Sequence, residues 1–307
     1  MSLLDLITGK KRGIRLLALI GMCGALLIAG CAQLAQKERE LVFRVEPGEA
    51  RWYGGLPQGV QELTIPVQSK AGPSADIHAL WWPADDPAAP ALLYLHGARW
   101  NLTGHLFRIE QLHAFGFSVL AIDYRGFGKS GGELPSEDTV YEDAQAAWQH
   151  LGTLRPDPVP RYIYGHSLGG AVAIDLAARL SEGDAAAGRM ASAHGLIVES
   201  TFTTLADIAR ALSYSWLPVQ LILSQKFDSA GKIARVRMPT LLVHGREDRY
   251  VPARFSQALF ENVRAPRKLL LVEGASHNNS MRVGAQQYRA ALNELFGLER
   301  RTASLAR

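Results

Sequence analysis

The chain has 307 residues, 48% hydrophobic and 20% charged, proportions that supply a core and exclude a disordered, collagen-like or coiled-coil protein. Its formal net charge is +4, but Lys10, Lys11, Arg12 and Arg15 face only Asp5 in the first 30 residues, and the remainder holds 29 basic and 28 acidic residues. That balance carries no nucleic-acid footprint. Both cysteines, Cys23 and Cys31, lie within the first 31 residues, so the rest of the chain forms no disulfide and no thiolate metal site.

The basic cluster is followed by an uncharged run, Leu16–Ala29. This order of charged and apolar segments predicts a secretory signal over residues 1–30, too short for the roughly 20 residues that span a bilayer. Leu27-Ile28-Ala29-Gly30-Cys31 resembles the lipobox of bacterial lipoproteins, which implies lipidation of Cys31 and a membrane-anchored place in the bacterial cell envelope. Ala32, where an aspartate would resemble the inner-membrane retention signal, points to the outer membrane. Residues 31–60 are polar, then rich in Gly and Pro, and predict a tether and lead-in.

From about Gln61 strand-like and helix-like runs alternate. Gln61–Val67 and Asp76–Trp82 predict an antiparallel pair across the Gly72-Pro73 turn. Ala91–Leu95, Ser118–Ile122, Tyr162–Tyr164, Leu196–Val198, Thr240–Val243 and Leu269–Val272 are short apolar runs suited to strands buried on both faces. Between them Phe107–Ala114, Ser136–Leu151, Gly169–Leu180, Ala253–Asn262 and Met281–Phe296 predict helices. The predicted fold is α/β, a doubly wound, mostly parallel sheet over residues 61–297 with a flexible tail at 298–307. Chemistry in such sheets sits at the carboxyl ends of the strands.

Gly165-His166-Ser167-Leu168-Gly169 follows one predicted strand and opens a predicted helix, the context of a G-x-S-x-G nucleophile elbow. A serine hydroxyl is a weak nucleophile at its own pKa, so it needs a histidine base and an orienting carboxylate, in the chain order Ser, Asp/Glu, His. His277, on a Gly274-containing loop after the last strand, is the expected base. Asp248 is the expected acid, with Glu247 and Glu199 as alternatives. His244 reads as a structural residue under the Asp248 loop, and His166 as packing against the sheet edge. Backbone N–H groups of Leu168, next to the nucleophile, and Ala98, in the His96-Gly97-Ala98 turn, are the expected oxyanion donors.

Gly126-Phe127-Gly128-Lys129-Ser130-Gly131 spells a dinucleotide-binding fingerprint, but Gly132-Glu133-Leu134-Pro135 opens no helix directly. Asp123 stands where a phosphate-binding P-loop needs glycine. With no H-E-x-x-H or cysteine-histidine pattern either, no cofactor and no metal are expected.

Leu95-His96-Gly97, Asp123 to Gly132, the elbow, Glu199-Ser200-Thr201-Phe202, His244 to Asp248 with Val251-Pro252, and Gly274 to Asn278 together resemble the α/β-hydrolase superfamily from about Gln61 to Phe296. They are most similar to its compact, often membrane-associated subfamily of α/β-hydrolase-domain proteins, whose relatives include protein depalmitoylases and lysophospholipid lipases. The resemblance implies Ser167 as nucleophile, Asp248 as acid, His277 as base, and Ala98 with Leu168 as oxyanion donors. Relatives often read His-Gly-Asn-Ala where this chain has His96-Gly97-Ala98-Arg99-Trp100. Such folds insert a cap where residues 203–238 lie, a short segment containing Tyr214, Trp216, Leu217, Leu221 and Ile222. Trp100, Tyr124 and Trp216 are the expected substrate contacts.

The expected function is an envelope-tethered serine hydrolase acting on a small or lipid-like acyl ester or thioester. Amide cleavage by the same machinery, as in a small aminopeptidase, and a non-catalytic envelope binding module are the alternatives.

Overall fold

From residue 61 onward the short apolar runs become strands, and helices cover both faces of the sheet they build. The computed structural model describes residues 22, 29–188, 192–214 and 218–298. In chain order the elements are α1 over residues 29–43, β1 (Gln61–Val67), β2 (Ala75–Trp82), β3 (Ala91–Leu95), α2 (Leu102–Ala114), β4 (Ser118–Ile122), α3 (Glu137–Leu154), β5 (Arg161–His166), α4 (Leu168–Ala186), β6 (Gly195–Glu199), α5 (Leu205–Ala209), a π-helical turn (Arg210–Tyr214), α6 (Val219–Ile222), α7 (Ser229–Ile233), β7 (Thr240–Gly245), α8 (Arg254–Asn262), β8 (Arg267–Val272), α9 (Ser280–Val283) and α10 (Ala285–Phe296).

The strand order is β1-β2-β4-β3-β5-β6-β7-β8. β1 and β2 are antiparallel, as are β2 and β4, and the remaining neighbours are parallel. The predicted doubly wound, mostly parallel α/β sheet is the one observed. β1, at the edge, alternates: Ile65 and Val67 are buried while Thr64 and Pro66 are exposed, and an edge position tolerates the missing N–H of Pro66. β3, β4, β6 and β7 are buried at every residue, because both faces are covered. Leu93 and Leu95 join one core with α3, α4 and α8, whereas Leu92 and Tyr94 join the other with α2 and α10. Each such leucine contributes roughly 2 kcal/mol of burial.

Helix boundaries follow caps more closely than apolar spacing. α2 begins five residues before the predicted Phe107, because the Asn101 side chain accepts the Thr103 N–H (3.1 Å) and caps a turn already under way. The predicted helix Met281–Phe296 is two helices parted at Gly284, where a Cβ would lie 2.8 Å from the Val272 side chain. The glycine-rich loop after β4 closes on itself instead of cradling a phosphate. Its Gly126 N–H donates to Gly131 O (3.0 Å), and the Arg125 guanidinium pairs with buried Asp143 (2.6 Å) and donates to Pro73 O (3.1 Å).

Residues 31–60 do not run free as a tether. Residues 29–43 are helical and end at Phe43, which is fully buried with its ring 6.1 Å from Phe227. Glu38, also buried, accepts the Ser224 N–H (2.9 Å), the Ser224 hydroxyl (2.6 Å) and the Gln225 N–H (2.8 Å). A polar stretch reads as a linker by composition, but here one carboxylate and one aromatic ring dock it. Residues 203–238 hold the short helices α5, α6 and α7. Most of the predicted signal and tail, residues 1–21, 23–28 and 299–307, lies outside the described residues. Among the described residues no helix is long and apolar enough to cross a membrane.

Candidate functional site

Where β5 passes into α4, Ser167 adopts φ 55° and ψ −119°, a conformation costly for a side chain bearing a Cβ. The turn is pinned by three bonds: Ser167 N–H to Glu199 O (2.9 Å), Gly170 N–H to Ser167 O (2.9 Å) and the Thr201 hydroxyl to Ser167 O (2.8 Å). Glycine is required on either side. A Cβ at Gly165 would stand 2.1 Å from Gly169 O, and one at Gly169 would stand 2.2 Å from Leu95 O and 2.4 Å from His96 O. These are backbone atoms, so a Cβ at Gly165 would force the turn apart from the start of α4, and one at Gly169 would force it away from β3. Gly169→Ala should therefore destabilise the protein by about 3 kcal/mol, read from urea unfolding; a midpoint equal to wild type would mean the turn accommodates the methyl.

The loops after β7 and β8 bring two more groups to Ser167. The Ser167 hydroxyl donates to His277 Nε2 (3.0 Å), and His277 Nδ1–H donates to Asp248 Oδ2 (2.6 Å). Asp248 is buried, and its Oδ1 accepts the N–H groups of Tyr250 (2.9 Å) and Val251 (2.8 Å). Burial alone would raise this carboxyl, but hydrogen bonds from His244 and His277, with the charge of His277 and the Val251 amide, outweigh it and hold Asp248 well below the ordinary carboxylate range.

His244 sits as expected beneath this loop. Its Nε2 faces Val251 O (2.7 Å) and Asp248 Oδ2 (3.2 Å), and its Nδ1 faces the Ser256 hydroxyl (2.6 Å). Glu247 is exposed. Glu199 points away, fully buried, accepting the hydroxyls of Tyr164 (2.8 Å) and Tyr288 (3.3 Å), with Arg108 Nε 3.9 Å from its other oxygen. Of the three candidate acids, Asp248 is the one that meets His277.

Ala98 and Leu168 flank the serine. Any side chain at Gly97 would come within 3.2 Å of Ser167 Cβ and of His166 O, so the Ala98 loop passes directly against the turn. Among the described residues neither the Ala98 nor the Leu168 N–H has a hydrogen-bond acceptor.

Tyr124, expected to contact substrate, does not reach the site. It is fully buried in the core, and its hydroxyl donates to His96 O (3.3 Å); a strand-end tyrosine on the inner face packs instead of opening outward. Trp100 is half-buried, its ring edge-on to Trp52 at 4.9 Å. Trp216 lies outside the described residues. His166 is not at a sheet edge but buried, with Nε2 2.9 Å from His277 O and 3.0 Å from Arg108 Nη2, one partner for each tautomer. Burial, then the charges of Arg108 and His277, push His166 well below the ordinary histidine range, so its ring is neutral. Arg108 Nη2 also donates to Asn278 Oδ1 (3.4 Å), which gives the His277 loop a second tie to Arg108 and His166 that composition did not reveal. Tyr250, exposed at the rim with its ring 5.9 Å from that of His277, was likewise unforeseen. Its signal was only an aromatic two residues past the acid.

A cavity of about 110 Å³ between β2 and α2, lined by Tyr53, Leu56, His78, Leu102, Asp123 and Lys129 among others, includes none of Ser167, Asp248 and His277. Among the described residues no group of three or more His, Cys, Asp or Glu is placed to hold a metal ion.

The family model Hydrolase_4, described as serine aminopeptidase, S33, matches residues 86–230, which contain the Ala98 loop and the Ser167 turn. The fold resembles that of the Pyrococcus furiosus esterase Pf2001, with a TM-score of 0.63 at 20% identity, covering 82% of this chain and 96% of that one. The chain has the α/β-hydrolase fold. By sequence, protein Rv2307c of Mycobacterium tuberculosis is 35% identical over 193 residues, 62% of this chain and 64% of that protein. Human alpha/beta hydrolase domain-containing protein 17B is 31% identical over 213 residues, 68% of this chain and 66% of that one. The chain thus spans just under two thirds of the length of these relatives.

Proposed function

We propose that this α/β-hydrolase is a serine hydrolase that cleaves carboxylic esters or thioesters through an acyl-enzyme. The supporting observation is the unbroken line from the Ser167 hydroxyl through His277 to Asp248, at 3.0 and 2.6 Å. Ser167 Oγ attacks the acyl carbon while His277 Nε2 takes its proton; Asp248 keeps Nδ1 protonated and stabilises the imidazolium. The carbonyl oxygen, now negative, receives the N–H groups of Ala98 and Leu168. Collapse breaks the bond to the alcohol or thiol, which leaves with the proton from Nε2. Water then attacks the acyl-serine, giving its proton to His277; as the bond from the acyl carbon to Oγ breaks, His277 Nε2 returns that proton to Ser167 and the acid is released.

Leu212 and Ile222, exposed in the cap segment, and Tyr250 at the rim favour an apolar acyl group, with Trp100 and Trp216 as further contacts. Cys31 is exposed and free, in keeping with its proposed lipidation, which would tether the enzyme to the outer membrane of a bacterial envelope. Amide cleavage is the second reading, favoured by the aminopeptidase description of the matching family.

A fluorophosphonate probe should label Ser167. Turnover of p-nitrophenyl butyrate should exceed that of amino-acid p-nitroanilides by at least about 100-fold, and chains of graded length should reveal the acyl preference. Faster anilide turnover would install the amide reading; a chain that is neither labelled nor active on either series would remove both.

A further inference from the structure

Arg99, the residue after Ala98, has φ +89°, left-handed space that a residue with a Cβ rarely occupies. Its side chain is exposed, so no burial forces it there. What holds it is a stretch of chain more than fifty residues earlier. The Arg99 N–H donates to Phe43 O (2.8 Å), the Glu46 N–H donates to Arg99 O (2.9 Å), and Arg99 Nε donates to Glu46 Oε1 (3.2 Å).

The same strap continues along the loop. Asn101 Nδ2 donates to Gly48 O (2.7 Å), and the Ala50 N–H donates to Thr103 Oγ1 (2.9 Å). Its ends are fixed, with Phe43 and Ala50 both buried. On the other side of Ala98, Gly97 lies against Ser167 and His166. The peptide bearing the Ala98 N–H is therefore set between two supports, the turn at Ser167 and the strap.

We infer that residues 43–50 are a positioning element that, by holding Arg99 in left-handed conformation, aims the Ala98 N–H at the developing oxyanion. This rests on the serine-hydrolase reading above. Released from the strap, Arg99 relaxes toward negative φ, which swings the Ala98–Arg99 peptide and moves residue 98 away from the turn. Because the donor is needed most when the oxygen carries charge, the loss falls on kcat and not on KM. The strap also begins at the helix containing Cys31, so the segment proposed to bear the anchor is continuous with the one that shapes the site.

Glu46→Pro in the full-length chain removes both the N–H and the carboxylate that grip Arg99. For p-nitrophenyl butyrate it should lower kcat about tenfold, with KM within about twofold and the thermal midpoint within about 2 °C of wild type. Adding Arg99→Gly should recover at least about threefold of that loss, since glycine occupies the left-handed region without strain. An unchanged kcat in Glu46→Pro, a loss carried by KM, a loss that Arg99→Gly does not relieve, or a midpoint lowered by more than about 5 °C would each overturn the inference. A wild-type chain that fluorophosphonate fails to label and that hydrolyses no ester would instead overturn the hydrolase reading on which it stands.

Discussion

Ser167→Ala is expected to reduce ester turnover by on the order of 10⁴- to 10⁶-fold, equivalent to roughly 5–8 kcal/mol of transition-state stabilisation, while leaving the unfolding midpoint close to wild type. The two halves of that expectation have separate causes. The hydroxyl's hydrogen bond is the one to His277, at the half-open surface of the site, so its removal strands no deeply buried group. The turn is held by backbone atoms and Thr201, all of which remain. His277→Ala should cost about as much, because a serine without a base and a base without a serine are equally inert. The double variant should then be no worse than either single one, since groups that act as one unit lose their effect once. Steady-state rates of the three proteins with p-nitrophenyl butyrate decide the matter. Turnover in Ser167→Ala within about tenfold of wild type would show another nucleophile at work, and a double variant much slower than both singles would show the two residues acting apart.

Much of this site could be read from residue order because its parts are local. Strand, tight turn and helix around Ser167 are spelled by glycines whose Cβ atoms would strike backbone, and such collisions leave their mark in sequence. Asp248 and His277 were found because a doubly wound sheet places the ends of its strands along one rim. Residue order points to Asp248, but removing Glu199 as its alternative took the structure: both follow strand ends, and Glu199 is taken by Tyr164 and Tyr288 from β5 and α10. No linear pattern encodes that pairing across 35 and 89 residues.

Tyr124 and residues 31–60 failed for opposite reasons. Tyr124 belongs to a loop rich in functional-looking glycines, yet its ring turns inward to His96 and Phe127, since an apolar ring gains more beneath the loop than above it. Residues 31–60 have the polarity and the Gly and Pro content of a linker, and composition does not register that Glu38 finds two backbone amides and a hydroxyl 186 and 187 residues away. Sequence periodicity reports which faces are apolar; it does not report where an isolated carboxylate or a pair of backbone groups finds its partner. The grip of residues 43–46 on Arg99 is of that second kind.

Asp248→Asn should lower kcat by about 10³- to 10⁴-fold through a change of proton position and not of shape. The carboxylate is acceptor-only and is met by four donors: the N–H groups of Tyr250 and Val251 on Oδ1, and His277 Nδ1–H with the nearby His244 Nε2–H on Oδ2. An asparagine whose oxygen serves the two backbone amides must turn its NH2 toward the two rings. His277 then accepts at Nδ1 and carries its proton on Nε2, the nitrogen that faces Ser167, so it can no longer act as a base. The same carboxylate gives the variant a signature in stability. Its folded-state pKa lies below the ordinary value of 3.8, so the stabilisation from its ionised form is full above that value and is lost as pH falls through it toward the folded-state pKa. Asparagine has no such titration. The stability gap between wild type and Asp248→Asn, measured by urea unfolding from pH 6 down to pH 3, should therefore narrow on acidification. A gap that stays constant would mean that Asp248 is not held ionised by its histidines, and the loss of turnover would then require a different cause.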